Sequence, residues 1–434
     1  MIRNDSCECS KSSVDVTAVP PTMTVMHESQ WVEHHPIASL NNTAPIEFII
    51  PPQTEQWTDL SQSYLYLKFK IKKTDNSNLA DDSELAPVNN FLHSMFSSID
   101  LYMNNKLITS SLDTYPYRAY LENLMSYNNN SKQSHLAATD MWYLDTPGKL
   151  EKNVRADGNE GLVARRTCIA ESKTAELCGR LHLDMFMQEK YIPNGVEIRL
   201  RLNRASPNFC LIGDGTTVGK IVIEKVSMNI RNVQLIPSVA NDLNRTIAQH
   251  NMKFPINRVE VKTFTIGTGL RSKIEDHLFQ GQLPKRLFIG MVKNEDMNGT
   301  LSTNPFRFQH FKLSKLEVSC DGHSIHTRPF EPNFEDGHCL RSYLSLYQAM
   351  GSLGQNQSFG LTLDAYQKGY TLWGYDLTPD QGAEEDVLHP IKTGNIRMEL
   401  QFAEALADTI NVVVYAEFDN LIEINHLREV ITDF

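Results

Sequence analysis

No apolar run of about 18 residues occurs in this chain, so no segment has the length to cross a bilayer as a helix. Positive charge is also scarce. Lys and Arg number 41 against 52 Asp and Glu, a formal net charge of −11. A surface built throughout to hold nucleic acid needs clustered Lys and Arg, and this balance excludes one; a local basic face stays compatible with it. Cysteine is sparse and odd in number, seven in all, with Cys168, Cys178, Cys210, Cys320 and Cys339 standing singly. That pattern argues against a disulfide framework. Only Cys7 and Cys9 lie close together, and no second pair follows at zinc-site spacing. The start, Met1 to Lys11, lacks the apolar core of a signal peptide, so synthesis and folding in the cytosol are expected. Triplets such as Asn298-Gly299-Thr300 are then chance matches to a glycosylation signal.

Catalytic signatures are missing too. There is no Gly-rich phosphate loop ending in Lys-Ser/Thr, no Gly-X-Ser-X-Gly elbow and no His-Glu-X-X-His. His34-His35 sits beside Pro36 in a polar stretch and reads as surface. His323 and His326 are three apart on an apparent strand, which points them to opposite faces and makes a poor chelate. Asp380, Glu384, Glu385 and Asp386 read as a solvated loop. Arg165-Arg166 could touch nucleic acid or a neighbouring subunit, but two charges specify nothing. No catalytic, cofactor-binding or metal residue is therefore assigned, and the expectation is a structural protein, not an enzyme.

What the chain does contain is period-two alternation. Ser63 to Lys72 sets Leu65, Leu67, Phe69 and Ile71 on one face of a strand. Val196–Leu202, Leu181–Met185 and Ile396–Phe402 alternate likewise, separated by Gly, Pro, Asn and Asp. Helical periodicity is local: Tyr117–Tyr127, Cys339–Met350 and, more weakly, Val239–His250. A length of 434 residues favours at least two domains, because single cores stop growing near ~250–300 residues.

The two halves echo one another, element by element and in order. Asp59–Leu67 is answered by Gln282–Gly290. Ser97–Ile108, turning at Asn104-Asn105, is answered by Ser314–Ile325, turning at Asp321-Gly322. Arg118-Ala119-Tyr120-Leu121 finds Arg341-Ser342-Tyr343-Leu344, and Pro193–Leu200 finds Lys392–Leu400. Each half closes on a long strand, Ile221–Ile236 and Ile410–Ile424. Such ordered self-similarity signals an internal repeat. The expected architecture is all-β, two tandem eight-stranded jelly-roll sandwiches with short helices in the loops. The expected division is an arm over 1–45, a first sandwich over 46–236, a linker over 237–257 and a second sandwich over 258–434. The long polar excursion Asn128–Thr174 should project as a loop; its counterpart, Gly351–Asp364, is shorter. Trp142, Tyr143, Trp373 and Tyr375 lie among turn residues. They read either as satellite cores beneath long loops or as anchors at a subunit interface, and they are the interface candidates.

Three segments carry a resemblance: Asn411–Ile424, Asn89–Ile99 and Leu372–Thr378. They resemble double jelly-roll major capsid proteins of Polinton/Maverick elements and adintovirus-like relatives, over roughly residues 20 to 434. The resemblance implies a homotrimer whose six jelly rolls give a pseudo-hexagonal capsomer tiling an icosahedral shell. It implies as partners neighbouring capsomers, a single-jelly-roll penton protein and minor capsid proteins. Double-stranded DNA would be enclosed without sequence-specific binding, and the place of the protein would be the virion capsid. The chain is compact for that group, with room for one large crown loop, which speaks against an elaborate tower. The arm would order on assembly beneath a neighbouring subunit. Competing readings are a minor or vertex capsid protein, against which the duplication counts, and a cytosolic ligand- or carbohydrate-binding β-sandwich, which needs a concave cleft. A domesticated capsid gene expressed without particles is a third.

Overall fold

The computed structural model describes residues 13, 14, 16, 17, 19, 21–40, 44–81, 83–109, 113–151, 158–213, 218–356, 358–385 and 387–434. Cys7, Cys9 and Asp386 lie outside the described residues. The alternation noted above is realised as strand burial. In the strand Gln56–Lys73, Leu65, Leu67, Phe69 and Ile71 are fully buried while the residues between them are partly exposed. Each such side chain contributes about 1.5–3 kcal/mol on burial.

Eight strands make the first sandwich: β1 (Met26–His34), β2 (Ile46–Ile50), β3 (Gln56–Lys73), β4 (Phe96–Met103), β5 (Lys106–Thr109), β6 (Ala175–Gly179), β7 (Ile198–Arg204) and β8 (Gly219–Leu235). They form two sheets ordered β1-β8-β3-β6 and β2-β7-β4-β5. First pairs with last, second with seventh, third with sixth and fourth with fifth, all antiparallel. That is one long hairpin rolled over itself, a jelly roll.

The second sandwich repeats the scheme with β9 (Met252–Ile266), β10 (Ser272–Gln282), β11 (Arg286–Lys293), β12 (Leu313–Cys320), β13 (His323–Ser324), β14 (Leu372–Asp376), β15 (Thr393–Phe402) and β16 (Ile410–Ile424). Its sheets run β9-β16-β11-β14 and β10-β15-β12-β13, and a short β17 (Val430–Thr432) adds to β16. Each of β9 to β16 has its counterpart eight numbers earlier. The tight turns agree as well: Asn104 and Asn105 have φ 46° and 65°, Asp321 and Gly322 have φ 48° and 82°. Positive φ at both central residues is what a two-residue hairpin turn needs, and Asn, Asp and Gly tolerate it. Helix α1 (Tyr115–Ser126) follows β5, and α4 (Leu340–Ala349) follows β13. Between them in sequence lie α2 (Glu160–Ile169) and α3 (Pro237–Ile247).

Four expectations need correcting. Residues 26–34, assigned to the arm, form β1 of the first sandwich. Residues 252–257, assigned to the linker, begin β9 and pair with Asp419–Ile424 of β16. Leu181–Met185 is not a strand. His182 and Asp184 are buried along with Leu181, Leu183 and Met185, and residues 184–186 make a single 3-10 turn. An alternating hydropathy pattern can arise wherever polar side chains are buried in a network, and here no ladder supports it. Finally, Asn128–Thr174 does not simply project. Its described parts fold into short helices that bury Leu136, Trp142, Leu150 and Leu162.

The cores are unequal in reach. One apolar cluster fills the first sandwich and continues through Phe288, Phe306, Phe308, Tyr370, Val413 and Tyr415 of the second half. The other lies between the sheets of the second sandwich. Strand β16 serves both: Val412, Val414, Ala416 and Phe418 face its own core, and Val413 and Tyr415 face the first half.

Candidate functional site

The junction between the sandwiches is where buried charge concentrates. Helix α1 presents Arg118 and Glu122 to it, one turn apart. The Arg118 guanidinium donates to Glu122 Oε1 at 2.9 Å and to Asp184 Oδ1 at 2.8 Å. Asp184 also accepts from Thr109 Oγ1 (3.0 Å) and, across the junction, from the backbone N–H of Val259 in β9 (3.2 Å). The Tyr415 hydroxyl lies 3.2 Å from Glu122 Oε1 and 3.0 Å from Glu417 Oε1. Glu417 in turn holds Arg286 through both carboxylate oxygens. Arg286 Nη1 reaches Ala349 O at 3.1 Å, placing a cation on the C-terminus of α4. Burial alone would raise the Glu122 carboxyl, but Arg118 and His182 outweigh it and hold the group down at about 2.

The 128–174 excursion adds a second set of bonds. Asp145 accepts from Arg165 Nη2 and Asn159 Nδ2, both at 2.6 Å, and from Asn304 Nδ2 of the second half at 3.0 Å. Tyr370 donates to the Asp145 carbonyl at 2.6 Å. Lys132 Nζ donates to Phe359 O at 2.7 Å and to Leu124 O at the end of α1. Burial pushes the Lys132 amine down to about 7. Ion pairs this deeply buried add little net stability, because desolvation offsets their attraction, but removing one partner strands the other. The bonds of these two sets that cross from one sandwich to the other are instead those of Val259, Tyr415, Asn304 and Tyr370 to these carboxylate residues and of Lys132 to Phe359. Among the described residues, no group of three or more His, Cys, Asp or Glu is placed to hold a metal ion.

The four interface candidates are not brought together. Trp142 and Tyr143 lie in the excursion, Trp373 and Tyr375 on β14. Trp142 is buried with its ring 5.1 Å from Tyr120, and only Tyr143 is partly exposed. Trp373 and Tyr375, two apart and so on one face, are buried in the second core; Tyr375 lies against Phe330 at 5.4 Å. The interface reading is thereby corrected for Trp142, Trp373 and Tyr375, which hold the fold from inside. The opposite face of β14 is covered by α4, and Gly374 lets the helix approach: a Cβ there would sit 2.7 Å from Ala349 Cβ. Arg165 and Arg166 are buried structural groups as well. Of the acidic loop, Asp380 pairs with His389 at 3.1 Å.

Two concavities stand out. One, of about 220 Å³, is lined mainly by apolar residues including Leu283, Pro284, Leu377 and Ile391. The other, of about 390 Å³, opens between the halves near Tyr127, Asn128 and Arg286 and is mostly polar. No helix among the described residues is long and apolar enough to cross a membrane.

No family model matches the sequence. An uncharacterized protein of Caenorhabditis elegans is 25% identical over 428 residues, spanning 96% of this chain and 99% of its own. Among solved structures, VP54 of PBCV-1 superposes with a TM-score of 0.63 at 11% identity, over 96% of this chain and 99% of its own. The structure of the Sputnik virophage gives 0.61 at 10% identity over 99% and 93%. The mavirus major capsid protein gives 0.56 at 12% identity over 100% and 96%. The fold is a double jelly roll. End-to-end coverage at this similarity means that the order of both sandwiches is shared, and not one sandwich alone.

Proposed function

We propose that this chain is a major capsid protein, a hexon-like structural subunit that trimerises into pseudo-hexagonal capsomers tiling an icosahedral shell around double-stranded DNA. The observation that carries the reading is the repeat itself: two jelly rolls of one topology, joined through a buried junction. Three copies about a three-fold axis then present six similar units, the number that a hexagonal lattice site needs. A heterologous contact that closes by rotation gives such a ring and leaves outer edges free for the shell. The likeness to capsid proteins of PBCV-1 and mavirus supports the same reading.

The partners proposed are neighbouring capsomers, a penton protein and minor capsid proteins, with DNA enclosed without sequence-specific contact. The place of action is the virion, after synthesis in the host cytoplasm. The lineage proposed is that of Polinton/Maverick elements. Neither concavity favours the ligand-binding alternative: the apolar one falls below the roughly 300 Å³ of ordinary ligand pockets, and the larger one lacks their apolar lining. Light scattering with negative-stain imaging tests the proposal. A stable species of about three times 49.3 kDa with a pseudo-hexagonal outline is expected, and a chain that stays monomeric at every concentration overturns it.

A further inference from the structure

Part of the junction between the sandwiches is a head-to-tail contact. The first half offers the segment between its sixth and seventh strands, residues 180–197, and the second half offers its first strand, β9. Lys190 Nζ donates to Lys253 O at 2.9 Å, and Asp184 accepts from Val259 N at 3.2 Å. The segment therefore lies along β9 from its second residue to its eighth. Arg428 extends the contact by donating to Asn194 O and to Asn194 Oδ1, both at 2.7 Å. Each sandwich owns both parts, because the two share one topology, yet a single chain uses only one of each. Two parts are left over: β1 of the first sandwich and residues 377–392, between the sixth and seventh strands of the second.

Both leftover parts are uncovered. Strand β1 begins as β9 does, its first residue paired with the last residue of the closing strand: Met26 with Leu235, Met252 with Ile424. Its second to eighth residues are then His27 to Glu33, the counterpart of the covered stretch of β9. Here His27, Glu28, Ser29, Gln30 and Trp31 are exposed consecutively, Trp31 to 54%. The 377–392 segment bonds back into its own sandwich, Leu377 N to Lys285 O and His389 N to Asp419. It leaves Val387, Leu388 and Ile391 exposed to 59%, 56% and 58%, whereas residues 180–197 bury Leu183, Met185, Phe186 and Ile192. Large apolar side chains exposed as a cluster mark an interaction surface. The apolar concavity of about 220 Å³ is walled by the same segment, at Leu377, Pro379, Pro390 and Ile391.

We propose that β1 of one copy lies against residues 377–392 of the next, with Trp31 meeting Val387, Leu388 and Ile391. The contact made once inside each chain is thereby made again between chains. This rests on the capsid reading and names the surface that closes the trimer. The contact is heterologous, joining different patches, so every copy keeps the same orientation and repetition by rotation closes a ring. An aromatic side chain set among aliphatic ones is the kind of anchor that carries most of an interface's affinity.

Trp31→Cys, combined in turn with Val387→Cys, Leu388→Cys or Ile391→Cys and mildly oxidised, tests the contact by denaturing gels and peptide mass spectrometry. The expected result is a disulfide from position 31 of one copy to at least one of the three positions of the next, in a covalent ladder that stops at three chains. Trimers in light scattering with none of these linkages overturn the contact and leave the capsid reading standing. Protein that stays monomeric overturns both. Linkage that runs on past three chains overturns the closed ring. Leu388→Asp places a carboxylate on a position exposed in the single chain, so the urea midpoint of the monomer should not change. Trimer dissociation on dilution should instead rise by about ten-fold or more. Unchanged dissociation overturns the contact.

Discussion

Asp296 is the residue whose surroundings fit its charge least. It sits on the short helix Asn294–Asn298 that follows β11, is fully buried, and neither carboxylate oxygen makes a well-formed hydrogen bond among the described residues. Burial first, and then the nearby Glu151 carboxylate, push its pKa up to about 7, with Thr303 and Arg307 offsetting only part. The unfolded chain would release this proton near 3.8, so below that pH both states are protonated and nothing is lost. Between there and about 7 the folded state binds more protons than the unfolded one, and stability falls as pH rises. Above 7 the full cost is present, roughly 4 kcal/mol or less. The Glu122 carboxylate acts in a separate window: held at about 2, it contributes stability above about 4.5 that is lost only as pH falls towards 2. Lys132, held at about 7 against 10.5 unfolded, costs stability as pH falls from 10.5 to 7 and adds no slope below that. Asp296→Asn should therefore be clearly more stable than the parent at pH 8 and much closer to it at pH 4, as measured by urea midpoints. The same difference at both pH values would mean that Asp296 titrates normally.

At the scale of elements, the Asn104-Asn105 turn does more than reverse the chain between β4 and β5. Asn104 Oδ1 accepts from Glu197 N at 2.8 Å, and its Nδ2 donates to Arg428 O at 2.6 Å, fastening the segment before β17 to the first sandwich. Asn104→Ala removes both bonds and puts a Cβ-bearing residue without a local hydrogen bond at positive φ. A loss of about 1–3 kcal/mol is expected. Faster proteolysis of residues 425–434 would show that the fastening is local, and wild-type protection there would refute it. This turn also shows how much of the fold the sequence displays. Turn chemistry and one-sided strands are local, so the repeated hairpins, α1 and α4 and the long closing strands are legible from residue order alone. Strand β1 is not legible, because an edge strand exposed on both faces has no alternation to read. The 128–174 excursion misleads because its polar residues are buried in partners more than a hundred positions away, such as Asn304 with Asp145. Trp373 and Tyr375 mislead for the same reason, since burial against the facing sheet is a tertiary fact.

For the whole molecule, the question is whether two sandwiches of one topology behave as one body or two. Tandem domains joined by a small polar interface usually unfold separately. Here the first core runs on into Phe288, Phe306, Tyr370 and Tyr415, and β16 buries one face in each half. Cutting the chain between them would expose that apolar surface. It would also leave Asp184 without Val259, Glu122 without Tyr415 and Asp145 without Asn304, each a buried group losing a partner. The first half alone would leave three buried carboxylates each short of a partner, so partial unfolding is penalised twice. The expectation is a single cooperative transition. Pulsed hydrogen exchange across a urea series should show amides of β3 and β8 losing protection at the same denaturant concentration as those of β11 and β15. If the second sandwich, with its self-contained core, stays protected well beyond the first, the junction is too weak to hold the halves rigidly, and three copies would not present six fixed units.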